Sequence, residues 1–370
     1  VDMIHLFSEL FTSYPFYEEK YGHAMAPFGG GMEHQTMTTI LNFQFFLVAH
    51  ELAHQWFGNN VTCATWQDIW INEGFASYSE YIAIQKLMNQ EVADGWMQSA
   101  LDRVTSQPGG SVYVPIEEVD SERRIFDYRL SYKKGAVILH MLRFEMNNDE
   151  LFFEALREFQ VRYEDSVATG DDFKDVVEDV TGKDWDYFFD QWYYGEGYPE
   201  YTINWEQIGD SLFISSDQRS STEYPQFFRT SLEFNVLYGN NTSELIRVIQ
   251  ETPSELFGIG VDGDVSEIEF DPNLWILKRI SSDSFIERKP VADNIRIVPN
   301  PAKNNVKIEF APPVNNWTVQ VFSTAGKVVY SSDINATSFT IDTSGWSEGI
   351  YTLKAGDSTK LLNGKIVIVK

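Results

Sequence analysis

The stretch His50–Glu73, HELAHQWFGNNVTCATWQDIWINE, constrains the fold more than any other part of the chain. It reads H-E-x-x-H, then eighteen residues, then Glu. Four residues separate His50 from His54, slightly more than one helical turn, so both imidazoles project from one helix face. Two neutral imidazoles so placed can hold a Zn²⁺ at roughly 2.0–2.1 Å. Glu51 then sits beside the metal, where a general base would take a proton from water. A third ligand must come from elsewhere and leave one coordination position open, and Glu73 is the candidate. Two His and one Glu form a catalytic donor set, whereas closed structural sites favour Cys. A bare H-E-x-x-H also occurs in ordinary amphipathic helices; the Glu73 spacing and the aromatic surroundings argue for one Zn²⁺ per chain.

Composition narrows the alternatives. At 370 residues the chain is long enough for two or three domains with sizeable cores. Hydrophobic content of 43% and aromatic content of 15% mark a globular protein rather than a disordered one. The net charge of −27 argues against nucleic acid as a partner, because phosphates need a basic surface. No apolar run approaches the ~20 residues of a membrane span. A single cysteine, Cys63, excludes an internal disulfide and a Cys-based zinc site, and it reads as a buried small residue.

Periodicity divides the chain. Residues 1–20 show helical spacing. Pro27–Gly31 breaks regular structure, and Met32–Thr39 reads as a short strand. The spacing predicts a metal-carrying helix over 43–56, ended by Gly58-Asn59-Asn60, then helices over 69–88, 91–106, 131–147, 149–163, 171–180 and 184–193. After Gly195–Pro199 the period changes to 2. Strands are expected over 201–205, 212–214, 231–236 and 267–270, the pattern of a small β-sandwich at 200–287. A second boundary is expected near 284–293. From Arg288 to Lys370 there are ten Lys/Arg against six Asp/Glu, a net of +4, which leaves the rest at −31. Strands are expected there over 306–310, 318–322, 328–330, 338–341, 349–353 and 365–369, a second sandwich at 288–370.

The run HELAHQWFGN…W…NEGFA resembles the gluzincin aminopeptidases of the aminopeptidase N type, which share a thermolysin-like catalytic domain. The resemblance implies a multidomain protein: a mainly α thermolysin-like catalytic domain at 1–199, followed by the two small all-β sandwiches. Gly30-Gly31-Met32-Glu33-His34 resembles the family's Gly-x-Met-Glu-Asn motif, whose Glu binds the free α-amino group of a peptide. It implies that role for Glu33, with Met32, Gly31 and Gly30 lining the pocket for the first residue. A fixed carboxylate there favours an ammonium and leaves no room for further chain on that side. His34 departs from the family's usual Asn.

Tyr132-x-Lys-Gly resembles the segment carrying the family's catalytic tyrosine, which implies that Tyr132 stabilises the oxyanion, with Tyr128 as the alternative. Glu80 lies two turns after Glu73 on the same helix face, where it either bonds a ligating His or simply faces solvent. His5, His23 and His140 lack ligand spacing and read as structural or surface residues.

Val298-Pro-Asn-Pro301, Ser323–Val328, Gly349-Ile-Tyr351 and the terminal Lys-Ile-Val-Ile-Val-Lys resemble the C-terminal sorting domain of type IX secretion cargo in Bacteroidota. A carbohydrate- or surface-binding β-module is the alternative. The resemblance implies export to the cell surface or beyond, with the secretion machinery as partner. The chain opens on Val1 inside a helical pattern, so its start reads as a cut end. The family's N-terminal β-domain is then expected to be missing and apolar surface to be exposed around the Gly30 strand.

The expected activity is zinc-dependent removal of the N-terminal residue from peptides. A non-catalytic binding fragment is one alternative, which lost ligands would favour, but all of them are intact; a zinc endopeptidase or an epoxide hydrolase-like relative is the other, and Glu33 is the residue that discriminates there.

Overall fold

The computed structural model describes residues 1–282, 286–287, 295–310, 317–334, 338–356 and 361–370. The expected boundary at 284–293 lies largely outside them. Helix α1 (Asp2–Leu10) leads into a three-stranded sheet of β1 (Gly22–Met25), β2 (Gly31–Met32) and β3 (Met37–Ile40). β3 is central, parallel to β1 and antiparallel to β2. The helical part follows: α2 (Phe45–Ala53), strand β4 (Val61–Cys63), α3 (Trp70–Leu87), α4 (Gln90–Thr105), α5 (Glu122–Ile125) and a π-helical turn over Tyr128–Lys134. Next come α6 (Gly135–Met146), α7 (Asp149–Arg162), β5 (Ser166–Ala168), α8 (Gly170–Thr181) and α9 (Asp186–Phe189), with a second π-helical turn over Asp190–Tyr194.

Local chemistry starts and stops these helices. Asn89 accepts from the Val92 amide to begin α4, and Asn148 accepts from the Glu150 and Leu151 amides to begin α7. Thr169 and Asp172 form a capping box on α8, and Gly182, at φ +65°, ends it in the left-handed region.

α3 is the centre of the helical part. Every residue from Trp70 to Ile84 is buried, as expected of a helix surrounded on all sides. α3 meets the start of α6 through two glycines: a Cβ at Gly74 would stand 3.1 Å from the Gly135 Cα, and one at Gly135 2.9 Å from the Gly74 Cα. Overpacking such a contact costs about 1–3 kcal/mol. Gly135→Val is therefore expected to lower the denaturant midpoint by that order. Gly95→Ala in α4, where a Cβ meets nothing within 4 Å, is expected to raise stability by about 0.5–1 kcal/mol.

Beyond Gly195 the regular elements among the described residues are all strands: β6 (Pro199–Ile208), β7 (Ser211–Ser220), β8 (Thr230–Tyr238), β9 (Ser243–Gln250), β10 (Ser254–Gly260), β11 (Val265–Phe270), β12 (Arg279–Ile280) and β13 (Ile286–Glu287) come first. One sheet has the order β10-β7-β6-β12, with β13 also on β6; another has the order β11-β8-β9. One hydrophobic core runs without a break from Phe7 to Leu277, through helices and strands alike. A second core spans Ile297–Ile368. It lies between the sheets β14-β15-β18 and β17-β16-β19-β20, formed by β14 (Ile295–Val298), β15 (Asn305–Phe310), β16 (Trp317–Ser323), β17 (Val328–Ile334), β18 (Ser338–Asp342), β19 (Gly349–Gly356) and β20 (Leu361–Ile368).

Several expectations need correction. Met32–Thr39 is not one strand: β2 ends at Met32, and the chain turns before β3. Thr36 adopts φ +59°, and its amide is taken by the Gln55 side chain at 3.0 Å, so a tertiary contact replaces the ladder. The helix expected over 131–147 is α-helical only from Gly135, and that over 184–193 only to Phe189. β9 and β10 went unseen because their residues are half-exposed, without clean alternation. Around β1–β3, Met25, Met32, Met37, Leu41, Phe43 and Phe46 are exposed apolar side chains.

Candidate active site

α2 and α3 pack side by side, which brings His50, His54 and Glu73 to one buried point. The His50 and His54 Nε2 atoms are 3.2 Å apart, and they lie 3.3 and 3.4 Å from Glu73 Oε2. Ligands roughly 2.0–2.1 Å from a tetrahedral metal are separated from one another by about 3.3–3.4 Å. The three atoms therefore already form one face of a zinc-sized tetrahedron.

The other ring nitrogens are occupied. His50 Nδ1 is 2.9 Å from Glu80 Oε1, and His54 Nδ1 is 2.9 Å from the Phe57 carbonyl. Donation from Nδ1 to these acceptors leaves the Nε2 lone pairs free for a metal. Burial alone would lower the His50 pKa, yet Glu73 and Glu80 outweigh it and raise it, a pull that a metal cation at Nε2 would satisfy in place of a proton. Burial likewise works to raise the Glu73 carboxyl, but His54 and His50 pull it well below the usual carboxylate range. Such a field calls for a cation. The donor set fits zinc.

Glu51 follows His50 on α2 and is buried, with Oε2 lacking any hydrogen-bond partner among the described residues. Burial pushes its carboxyl up to about 7, Glu33 and Glu73 adding to the effect and the two imidazoles opposing it. A Cβ at Gly31 would overlap the Glu51 carboxylate, so only glycine lets β2 pass this close.

Glu33 lies just beyond β2, and its carboxylate, that of Glu51 and a His54 ring nitrogen lie within 4.8 Å of one another. Its position depends on residues that sequence reasoning missed. The Glu33 carbonyl accepts from Asn59 Nδ2 at 2.7 Å and Gln55 Nε2 at 3.4 Å. Both donors stand in the HQWFGN run, and only the tertiary contact discloses what they hold. Met32 is exposed at the sheet edge, and Gly30 adopts φ +89° with open space beside it. His34 is exposed, its Nδ1 3.0 Å from Thr39 Oγ1.

Tyr132 comes from the π-helical turn. Its ring stacks on His50 at 5.9 Å and 12°. Burial, then Glu73, raises the phenol pKa, so the group stays protonated and able to donate. Tyr128 lies at the rim, its ring 5.8 Å from that of Tyr132.

Glu80 is buried rather than solvent-facing. Besides His50, it accepts from Trp96 Nε1 at 2.9 Å and pairs with Lys133 at 3.3 Å; that ammonium lies 4.2 Å from the Trp96 ring centroid. Burial works to raise its carboxyl, but Lys133 and His50 hold it low. Trp96 and Lys133 carried no sequence signal, since they come from α4 and the π turn. Cys63 is buried, and burial pushes its thiol up to about 12. His140 stacks on Trp275 at 4.4 Å, and burial takes it down to about 3.

Residues 30–192 match the peptidase family M1 domain, and residues 296–369 match the secretion system C-terminal sorting domain. The chain thus contains an M1 peptidase domain and, behind it, a type IX sorting domain, the latter indicating export to the cell surface or beyond. It is 33% identical to aminopeptidase N of Lactococcus lactis subsp. lactis over 178 residues, 46% of this chain and 21% of that one. It is 31% identical to aminopeptidase A of Gloydius brevicauda over 253 residues, 62% of this chain and 26% of that one. The chain therefore spans about a fifth to a quarter of the length of these curated relatives. Its fold is similar to the crystal structure of Legionella pneumophila aminopeptidase A in complex with aspartic acid. The TM-score is 0.62 at 15% identity, covering 76% of this chain and 34% of that one. No described helix is long and apolar enough to cross a membrane.

Proposed function

We propose that the chain is the catalytic part of an exported zinc aminopeptidase, with the helical part and the strands behind it as catalytic and β-sandwich domains. The observation that carries this reading is the triangle of His50 Nε2, His54 Nε2 and Glu73 Oε2, with edges of 3.2–3.4 Å. A zinc ion held there would supply Lewis acidity, acidifying a water molecule and polarising a peptide carbonyl.

The protein's own groups do the rest. Glu51 takes the proton of the attacking water and later delivers it to the leaving amine. Tyr132 donates its phenolic hydrogen to the developing oxyanion, a role supported by its stacking on His50. Glu80 orients His50, as does the Phe57 carbonyl His54. Glu33 pairs with the α-ammonium of the substrate, and Met32, Gly31 and Gly30 border the first residue. The sorting domain hands the protein to the secretion machinery, which points to a Bacteroidota host.

The exopeptidase reading is supported by the carboxylate of Glu33 beside that of Glu51. A charge-assisted contact is roughly twice as strong as a neutral one and also fixes position, so it acts on the transition state. Acetylating the α-amine should therefore abolish cleavage, whereas extending the peptide at its C-terminal side should be tolerated. Glu33→Ala should cut kcat/KM for free-amine substrates by about one to two orders of magnitude, for a contact worth ~1.5–3 kcal/mol. Zinc content should not change. Cleavage of acetylated peptides at the rate of free ones, or at internal bonds, would replace this reading with an endopeptidase.

A further inference from the structure

The π-helical turn that carries Tyr132 is tied at both ends to one loop. At its start, Arg129 Nη1 donates to the Gly109 carbonyl at 2.8 Å and to the Val104 carbonyl at 3.3 Å. At its end, Lys134 Nζ donates to the Gly110 carbonyl at 2.8 Å and to the Gly195 carbonyl at 3.1 Å. Lys134 is 1% exposed, and among the described residues it makes no ion pair. Both of its hydrogen-bond acceptors are main-chain oxygens. Burial, then the Arg129 guanidinium, lowers its pKa to about 7. A neutral amine has two N–H groups, one for each carbonyl it meets.

The loop is itself pressed against the turn. Gly110 adopts φ +99°, and a Cβ there would stand 2.7 Å from Leu130 Cδ1 and 3.0 Å from Arg129 Nη2. From the other side, the Gly110 amide donates to Glu196 Oε2 at 3.2 Å, and Ser221 Oγ donates to the Pro108 carbonyl at 2.8 Å. The turn is thus fastened, through Lys134 and this loop, to the segment where the strands begin. π-Helical turns are rare and are found frequently at functional sites. Here the support converges on two side chains, Arg129 and Lys134, that bracket Tyr132.

We propose that Lys134, with Arg129, is a positioning residue: by tying the π-helical turn to the carbonyls of Gly109, Gly110 and Gly195, it sets the Tyr132 phenol against His50. The proposal rests on the reading of Tyr132 as the oxyanion donor. A methionine would fill the same volume without a buried amine, so volume alone does not account for a lysine here. A misplacement of about 1 Å can cost on the order of 10²-fold in rate.

The test is a double-mutant cycle on the full chain, with an aminoacyl-arylamide as substrate. Lys134→Met should lower kcat by about 10–100-fold, with KM within about twofold and zinc content unchanged. Lys134→Gln, which keeps a neutral group with two N–H donors, should recover part of that loss. In a Tyr132→Phe background, Lys134→Met should cause no further loss, because a residue acting only through Tyr132 has nothing left to position. Arg129→Met should behave alike and serves where Lys134→Met does not fold. Amide exchange over 128–134 should quicken in both variants, a readout independent of turnover.

Unchanged kcat in both variants, unchanged exchange, or losses that multiply with that of Tyr132→Phe would overturn the proposal while leaving the Tyr132 role intact. Full activity of Tyr132→Phe itself would overturn that role and this inference together.

Discussion

Glu51→Gln is expected to lower kcat by about 10²–10⁴-fold while the purified chain keeps about one zinc. Glutamine preserves the shape of the side chain and removes its capacity to accept a proton. Its position explains the expected size of the effect. Glu51 is buried beside the ligand triangle, has an oxygen without a partner among the described residues, and cannot shift towards β2, because Gly31 lies against it. Burial is the largest cause of its raised pKa, which stands at about 7 before any cation is bound. A cation between His50, His54 and Glu73 would lower that value. The base works only when deprotonated, so activity should fall as pH drops through the folded-state pKa, with an acid limb at or below about 7. Loss of zinc in Glu51→Gln, measured by elemental analysis, would show that Glu51 is a ligand and that the roles are misassigned.

Tyr132→Phe should lower kcat by about 10²–10³-fold, the usual consequence of removing one oxyanion donor. KM should change little, since the phenolic hydrogen bond matures only as the oxyanion forms. The substitution removes one oxygen from a ring that otherwise stays stacked on His50, so thermal stability should be nearly unchanged. Tyr128→Phe provides the comparison: its ring lies at the rim, and its loss of activity should be slight. Equal losses in the two variants would remove the distinction between them and return Tyr128 as an alternative donor.

The parts of the site that were legible in the sequence are those set by local spacing. His50, Glu51 and His54 stand on one stretch of α2, where 3.6 residues per turn dictates which side chains share a face. Glu73 and Glu80 share a face of α3 for the same reason. Glu33, the loop glycines and Tyr132 were legible only because short motifs resemble those of a known family.

What the sequence could not disclose arises between elements far apart in the chain. Besides His50, the partners of Glu80 come from α4 and from the π turn. The turn after Met32 exists because Gln55 captures the Thr36 amide, and Asn59 holds the carbonyl of Glu33. Periodicity around Tyr132 announces an ordinary helix; the π turn is accompanied by contacts of Arg129 and Lys134 with the Gly109–Gly110 loop, which periodicity does not register. Covalent geometry makes a spacing of four residues a statement about space. No such rule links Gln55 to Glu33 or Lys134 to Gly195, and only the packing of the folded chain brings those groups together.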